Sequence, residues 1–414
     1  MHVGEVANAG AAKFGKPLDG VRILALEQMQ ALPFATQLMA RLGADVVKVE
    51  APKAGESGRT SRPAMLDPQG RPVGATFLRN NLNKRSVTID VKHPRGRELV
   101  LRLAPHFDVF GENFKSGALA RLGLGYGDIA AVHPSVIYVS VSGFGNTTPS
   151  PYAAWPAYAA VAEAMSGVYE FKRRPGEPPT ASPVGGLGDI STSLFATVGV
   201  LAALRHRERT GEGQYVDAAM FDAMVAMTDV VTNYWSMGLG NGDLGQLILH
   251  GFRAADGWFV LQVVREHQFA SLARLIGCPE WLDDPRFAGG QGWVEYLESD
   301  IRPAIERWAA DKGKIAACDE LSAGGLAAGP CLSAEEVVHD PHVAMRNMMV
   351  ELPRTDGVAQ PVLIPGNPVK LSKMAEGPER RVPWLGEHTD DVLRDDLGLS
   401  EEELRSLRSD GVLS

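Results

Sequence analysis

The sequence is short of the features that mark several protein classes. It has three cysteines in 414 residues, Cys278, Cys318 and Cys331, with no CxxC spacing. That argues against a disulfide framework or a zinc site and fits a reducing, cytoplasmic setting. Its apolar runs are interrupted well before the roughly 20 residues that a membrane span needs, so no membrane partner is expected. Residues 1–16 are rich in Ala and Gly and lack the apolar core of a signal peptide, and they read as a flexible extension. Positive charge is not in excess: 41 Lys and Arg against 50 Asp and Glu leave a net −9. A general nucleic-acid binder is disfavoured, although a local basic site for an anionic small molecule is not. There is no GxGxxG after the first strand, so a dinucleotide site is not indicated. No internal repeat of solenoid period is evident.

What is present is a soluble globular composition, 45% apolar and 22% charged, in a chain long enough for two domains. Residues 21–26 form a short apolar strand. A loop with Gln30 follows, then a helix opened by Pro33 and closed by Gly43, then a strand over 46–49. Strand, loop, helix, Gly, strand is a βαβ unit and implies a parallel sheet. Alternation continues through strands at 85–90, 108–110 and 136–142, so residues 17–237 read as a Rossmann-like α/β large domain. Residues 51–74, rich in Pro, Gly and Arg, read as a long surface loop in which Arg59 and Arg62 are first solvated arginines and second phosphate contacts. Residues 220–237 read as one long apolar helix, and the basic cluster Lys172, Arg173, Arg174 as solvated surface. A glycine-rich break at 238–245 marks a boundary. Beyond it, Asp256-Gly257 signals a hairpin in a smaller α+β domain over 247–342, followed by a tail over 349–414.

The strongest local pattern lies at 184–214. Gly185, Gly186 and Gly188 deliver Asp189 to the start of a helix whose Leu194, Val198, Leu201 and Leu204 recur at i, i+3/i+4 as an apolar face. The helix ends in Arg205, Arg207 and Arg209 before Gly211, which is helix-stop chemistry. On this pattern alone Asp189 is first an N-cap, the commonest use of Asp before a helix, and second a reactive acid. Gln30 is an uncharged amide just past the carboxyl end of a strand, the edge where open α/β sheets bind ligands; a solvated loop glutamine is the alternative.

Separated motifs now agree. Pro17-Leu18-Asp19-Gly20, residues 42–50 (LGADVVKVE), Asn83-Lys84-Arg85-Ser86, Glu112-Asn113-Phe114, Gly188-Asp189, residues 210–214 (TGEGQ), Gly329-Pro330, Asp340-Pro341-His342 and residues 385–389 (LGEHT) occur in order from Pro17 onward. In this set the chain resembles the family III CoA-transferases. The resemblance implies a Rossmann-like large domain built from both chain ends, a small α+β domain, and an interlocked homodimer. It implies an enzyme that takes acyl-CoA and a free carboxylic acid, with coenzyme A as a substrate thioester and no bound cofactor or metal. The family's catalytic aspartate falls on Asp189, preceded by Gly188. Its loop glutamine falls on Gln30, followed by Ala31, and its CoA contacts on Lys84, Asn113, Phe114 and Arg121. A basic contact that some members place directly after Lys-x-Glu is Ala51 here, with Lys53 as the substitute. The glycine-rich flap of formyl-CoA transferases has no obvious counterpart, residues 238–245 being a weak candidate, which speaks against formyl or oxalate as substrates. The α-methylacyl-CoA racemases share the fold and carry a histidine where this chain has Tyr158. A phenol is a poor base near neutral pH, so the resemblance favours transfer over racemisation or mere CoA binding.

Overall fold

The computed structural model describes residues 1–171, 173, 176–238 and 247–414. Lys172 and Arg174 of the basic cluster, and the flap candidate beyond Gly238, lie outside the described residues. Contacts divide the chain into two units, Met1–Thr228 with Ala344–Ser414, and Asp229–Val343.

In the larger unit a six-stranded sheet runs Arg85–Thr88, Asp45–Glu50, Arg22–Leu26, Val109–Glu112, Ile137–Ser142, Gln214–Ala219, every pair parallel. The chain order of these strands reverses between Arg22–Leu26 and Val109–Glu112. In a doubly wound sheet that reversal opens a crevice beyond the carboxyl ends of the two strands. Ile23, Leu24, Ala25 and Leu26 are all buried, as expected of a strand covered on both faces. One face packs on Leu32, Ala35, Met39, Ala196 and Val200 from the helices Ala31–Arg41 and Leu187–Thr210. The other packs on Leu99, Val100, Val392 and Leu404 from Pro94–Leu103, Thr389–Leu397 and Glu401–Ser409.

The long helix Leu187–Thr210 is turned over relative to its sequence pattern. Leu194, Val198 and Leu201 are 47%, 63% and 36% exposed, and of that stripe Leu204 alone is buried. The inward face is made of Gly188, Ser191, Thr192, Ala196, Thr197, Val200 and Ala203. Close approach is the reason: a Cβ on Gly199 would stand 2.7 Å from Val216 Cγ1. By length and composition alone this helix could cross a membrane, although half of its apolar window is buried.

Residues 51–74 are not an open loop. Ala64–Leu66 and Pro72–Gly74 pair antiparallel, and Met65 and Val73 join Phe77, Val350, Ile364 and Val382 in a core. Arg59 is buried: its Nε and Nη2 donate to Glu50 at 2.6 and 2.7 Å, and its guanidinium lies 3.8 Å from the Phe77 ring centre. The N-terminal segment is tied down too, because the C-terminal return offers it free strand edges: His2 bridges Glu351, Ala7 bridges Glu376, and Met1 and Val3 pack against the same core. The apolar helix at 220 ends at Met227, where Thr228 turns extended.

The smaller unit holds the antiparallel strands Ile248–Ala254, Gly257–Val263 and Ala327–Pro330. Phe252, Phe259, Leu272, Trp293 and Ile305 fill its core.

Candidate active site

A cavity of about 600 Å³ opens at the reversal point, and Gln30, Ala31, Asn113, Phe114, Tyr158 and Asp189 are on its wall. Asn113 staples the two loops that leave the reversal strands. Its Oδ1 accepts the Gln28 N–H at 2.9 Å, and its Nδ2 donates to the Gln28 carbonyl at 2.9 Å. Phe114 is held from below, its N–H donating to Glu112 Oε2 at 2.8 Å. Burial pushes the Glu112 carboxyl up to about 7.

Asp189 is not a cap. The helix begins at Leu187 with Gly186 as its N-cap, so Asp189 is the third helical residue. Its turn is secured by other groups. The Gly188 N–H donates to Glu163 Oε1 at 3.0 Å, Thr192 Oγ1 donates to the Gly188 carbonyl at 2.6 Å, and Ser193 Oγ donates to the Asp189 carbonyl at 2.8 Å. Among the described residues neither Asp189 carboxylate oxygen receives a hydrogen bond. A helix start favours negative charge, yet burial, and then the charge of nearby Glu163, raise this carboxyl from 3.8 to about 6. Gly188 itself is buried where the helix crosses Ala159: a Cβ there would lie 3.0 Å from the Ala159 carbonyl.

Opposite stands Gln30, on a loop held in an unusual conformation. Met29 is left-handed at φ 60°, and its N–H donates to Glu56 Oε2 at 2.9 Å. Gln30 Oε1 accepts from Arg79 Nη1 at 2.8 Å, and Gln30 Nε2 lies 3.5 Å from the Gly186 carbonyl. Gly186 must be glycine on two counts. Its φ is 77°, and a Cβ would sit 2.2 Å from Gln30 Nε2 and 3.1 Å from Asp189 Oδ2.

The sequence-derived site residues do not all converge. Tyr158 is 75% exposed at the cavity wall. Lys84 is a correction. Its buried ammonium donates to Glu27 Oε1 at 2.6 Å, the Pro33 carbonyl at 2.9 Å and Asn81 Oδ1 at 2.9 Å. All three donors are spent inside the protein, which leaves none for a ligand. Burial also brings the Lys84 ammonium down to about 8. Arg121 ends the short helix Ala118–Arg121 beyond the Phe114 loop and is exposed, as is the left-handed Lys53; neither is on the cavity wall. Sequence reasoning missed Lys115, which is on the wall, and Arg79 and Glu163, which hold Gln30 and the Gly188 turn. An acid within an otherwise small and apolar helix, as in residues 159–165 (AAVAEAM), was the available signal for Glu163.

The fold and the site define a doubly wound α/β protein with a ligand cavity at the reversal of strand order and an unpaired carboxylate on its wall. The chain belongs to CoA-transferase family III, whose family model matches residues 18–389. It is 35% identical to the formyl-CoA:oxalate CoA-transferase of Streptomyces avermitilis, over 96% of this chain and 100% of that enzyme. It is 34% identical to the succinyl-CoA–D-citramalate CoA-transferase of Chloroflexus aurantiacus, over 96% and 98%. The crystal structure of a CAIB/BAIF family protein from Brucella suis superposes with a TM-score of 0.79 at 32% identity, covering 92% of this chain and 99% of that one. The protein is accordingly a CoA-transferase, moving coenzyme A between acyl-CoA and carboxylic acids.

Proposed function

We propose that transfer runs through covalent catalysis on Asp189. The observation that carries this is an unpaired, desolvated carboxylate on the cavity wall, facing the Gln30 amide across Gly186. An Asp189 oxygen attacks the thioester carbonyl. The C–S bond breaks with its electron pair going to sulfur, leaving an aspartyl anhydride and CoA thiolate. The thiolate attacks the Asp189 carbonyl, the anhydride C–O bond breaks, and the first acid departs as carboxylate from an enzyme–CoA thioester. The second acid's carboxylate attacks that thioester and the same two steps run in reverse, so no water or cofactor is consumed. With its carboxyl raised to about 6, Asp189 is still about nine-tenths ionised at neutral pH. It is also more basic than an ordinary aspartate. Each tetrahedral oxyanion needs donors, and the Gln30 amide, which shares the space beside Gly186 with Asp189 Oδ2, is one.

For the CoA phosphates the supporting cations are Lys115, Arg121 and Lys53, exposed and without an ion-pair partner among the described residues. We also propose that a second copy covers the exposed Leu194, Val198 and Leu201 stripe, as the expected homodimer would. The three free cysteines fit action in the cytoplasm.

The test is transfer between acyl-CoA donors and a panel of mono- and dicarboxylic acids, with mass detection of an enzyme–CoA adduct. Asp189→Ala is expected to abolish both transfer and adduct, and turnover by that variant would overturn the mechanism. Exchange of the α-hydrogen with deuterated solvent, without any acid acceptor, would point to racemisation instead. No histidine among the described residues lines the cavity to support that chemistry.

A further inference from the structure

Arg79 is a half-buried guanidinium with no carboxylate in ion-pair range among the described residues. Such a group is costly to desolvate, so its single side-chain hydrogen bond, to the neutral oxygen of Gln30 at 2.8 Å, calls for a reason. Its backbone is fixed. The Arg79 carbonyl accepts from Gln37 Nε2 at 2.9 Å, Gln37 Oε1 accepts the Leu82 N–H at 2.7 Å, and the neighbouring Asn80 donates to the Met29 carbonyl at 3.4 Å. The Phe34 ring lies 5.5 Å from the guanidinium. The helix that carries Arg79 and the loop that carries Gln30 are thus tied together at several points.

The chemistry of the pair is directional. A guanidinium has five donors and no acceptor. The Gln30 amide must therefore turn its oxygen toward Arg79 and its Nε2 away, toward Gly186 and Asp189. Without that cation the amide could flip and present an acceptor, which would repel a developing oxyanion. Gly186, lacking a Cβ, leaves the space between Nε2 and Asp189 Oδ2 open. We propose that Arg79 is a positioning residue, which fixes the Gln30 amide so that its N–H group meets the oxygen that becomes negative when Asp189 is acylated. This rests on the Asp189 mechanism proposed above.

The experiment compares R79M, R79K, Q30A and the double variant R79M/Q30A, with D189A as the control for the mechanism itself. R79M lowers kcat about 10- to 100-fold, toward the loss seen when an oxyanion donor is removed, while KM for acyl-CoA stays within about twofold. R79K, which keeps a donor-only cation, recovers part of kcat. The double variant is no worse than Q30A, because the two side chains act as one unit. A wild-type kcat in R79M, or losses that multiply in the double variant, would overturn the proposal. The Gln30 side-chain amide resonance, assigned through Q30A, provides a readout that needs no turnover. In R79M it shifts and exchanges its protons faster with water, and in R79K it returns toward wild type. An unmoved resonance also overturns the proposal. If the wild-type protein moves no CoA, the transfer mechanism fails separately, and the amide signal still decides the role of Arg79.

Discussion

Asp189→Asn should make the protein more stable, and the gain should depend on pH. The native carboxyl titrates at about 6 against 3.8 for an ordinary aspartate. A carboxyl raised in the native state binds its proton more tightly folded than unfolded, so ionising it costs native stability. The cost is absent below both values, grows between them and is complete above the native one. Converting the rise gives at most about 3 kcal/mol near neutral pH, reduced by whatever water reaches the cavity wall. Asparagine has nearly the same shape and no charge to desolvate. Denaturant unfolding of the large unit should therefore show D189N more stable than wild type by up to about 3 kcal/mol at about pH 7.5, converging toward wild type near pH 4. The same variant should lose transfer, because an amide is no nucleophile. Equal stability at pH 7.5, or a gain that does not change with pH, would refute the claim that this carboxylate is held charged and unpaired at the expense of the fold.

Other tests bear on neighbouring groups. Activity should fall as pH drops through about 6, because protonated Asp189 cannot attack. Glu163 is the smaller cause of the raised value, so E163Q should move that acidic limb down by less than about one pH unit, read from kcat/KM profiles. Lys84→Met should destabilise by roughly 3 kcal/mol or more, since it strips the buried Glu27 of its hydrogen-bonded cation, and should leave KM for acyl-CoA unchanged if Lys84 touches no phosphate. Gly186→Ala should depress kcat by pushing Gln30 away, measured beside a melting curve to separate strain from chemistry. Val198→Glu should turn a dimer into monomers on light scattering, and a wild-type protein that is already monomeric would refute the proposed partner on that face.

The parallel sheet was legible because a βαβ unit announces itself through local punctuation, here Pro33 and Gly43 between two apolar strands. Gln30 was legible because it follows the carboxyl end of a strand, the edge where open α/β sheets bind ligands. Asn113 and Phe114 came from the family resemblance alone, and the structure puts them on the same cavity wall. The orientation of the long helix was not. Periodicity finds an apolar stripe but cannot say whether that stripe meets its own core or lies exposed, and here Ser, Thr, Gly and Ala face inward because the backbones approach closely. Lys84 was misread for a related reason. Its partners Glu27 and Asn81 are 57 and 3 residues away in sequence, and the long-range one decides that the ammonium is buried. Arg79 acts on a group 49 residues distant and no local pattern marked it. Glu163 was marked as an acid in an apolar helix, but its partner Gly188 is 25 residues away and that pattern could not name it.

The buried acids around the cavity show why a perturbed carboxyl is not by itself a catalytic one. Glu27 and Glu50 are fully buried, yet both sit below the ordinary carboxylate value, because Lys84 and Lys48 oppose desolvation for the first and Arg59 for the second. Glu27 holds Lys84 and Thr36, Glu50 holds Arg59, Ser86 and the Glu56 N–H, and neither acid is on the cavity wall. Glu112 is raised further than Asp189, to about 7, but one of its oxygens takes the Phe114 N–H and the other takes the Ser140 hydroxyl. That carboxyl is a bracket for the loop, and it is not on the cavity wall. Asp189 differs in combining three conditions: a raised value, oxygens without donors, and a place on the wall. The raised value makes it basic, the missing donors leave its lone pairs free, and the cavity gives a thioester a route to it. Hydrogen-bonding it as Glu112 is bonded would stabilise the fold and quench the nucleophile, so the local instability predicted for wild type above pH 6 follows from the same three conditions as its reactivity.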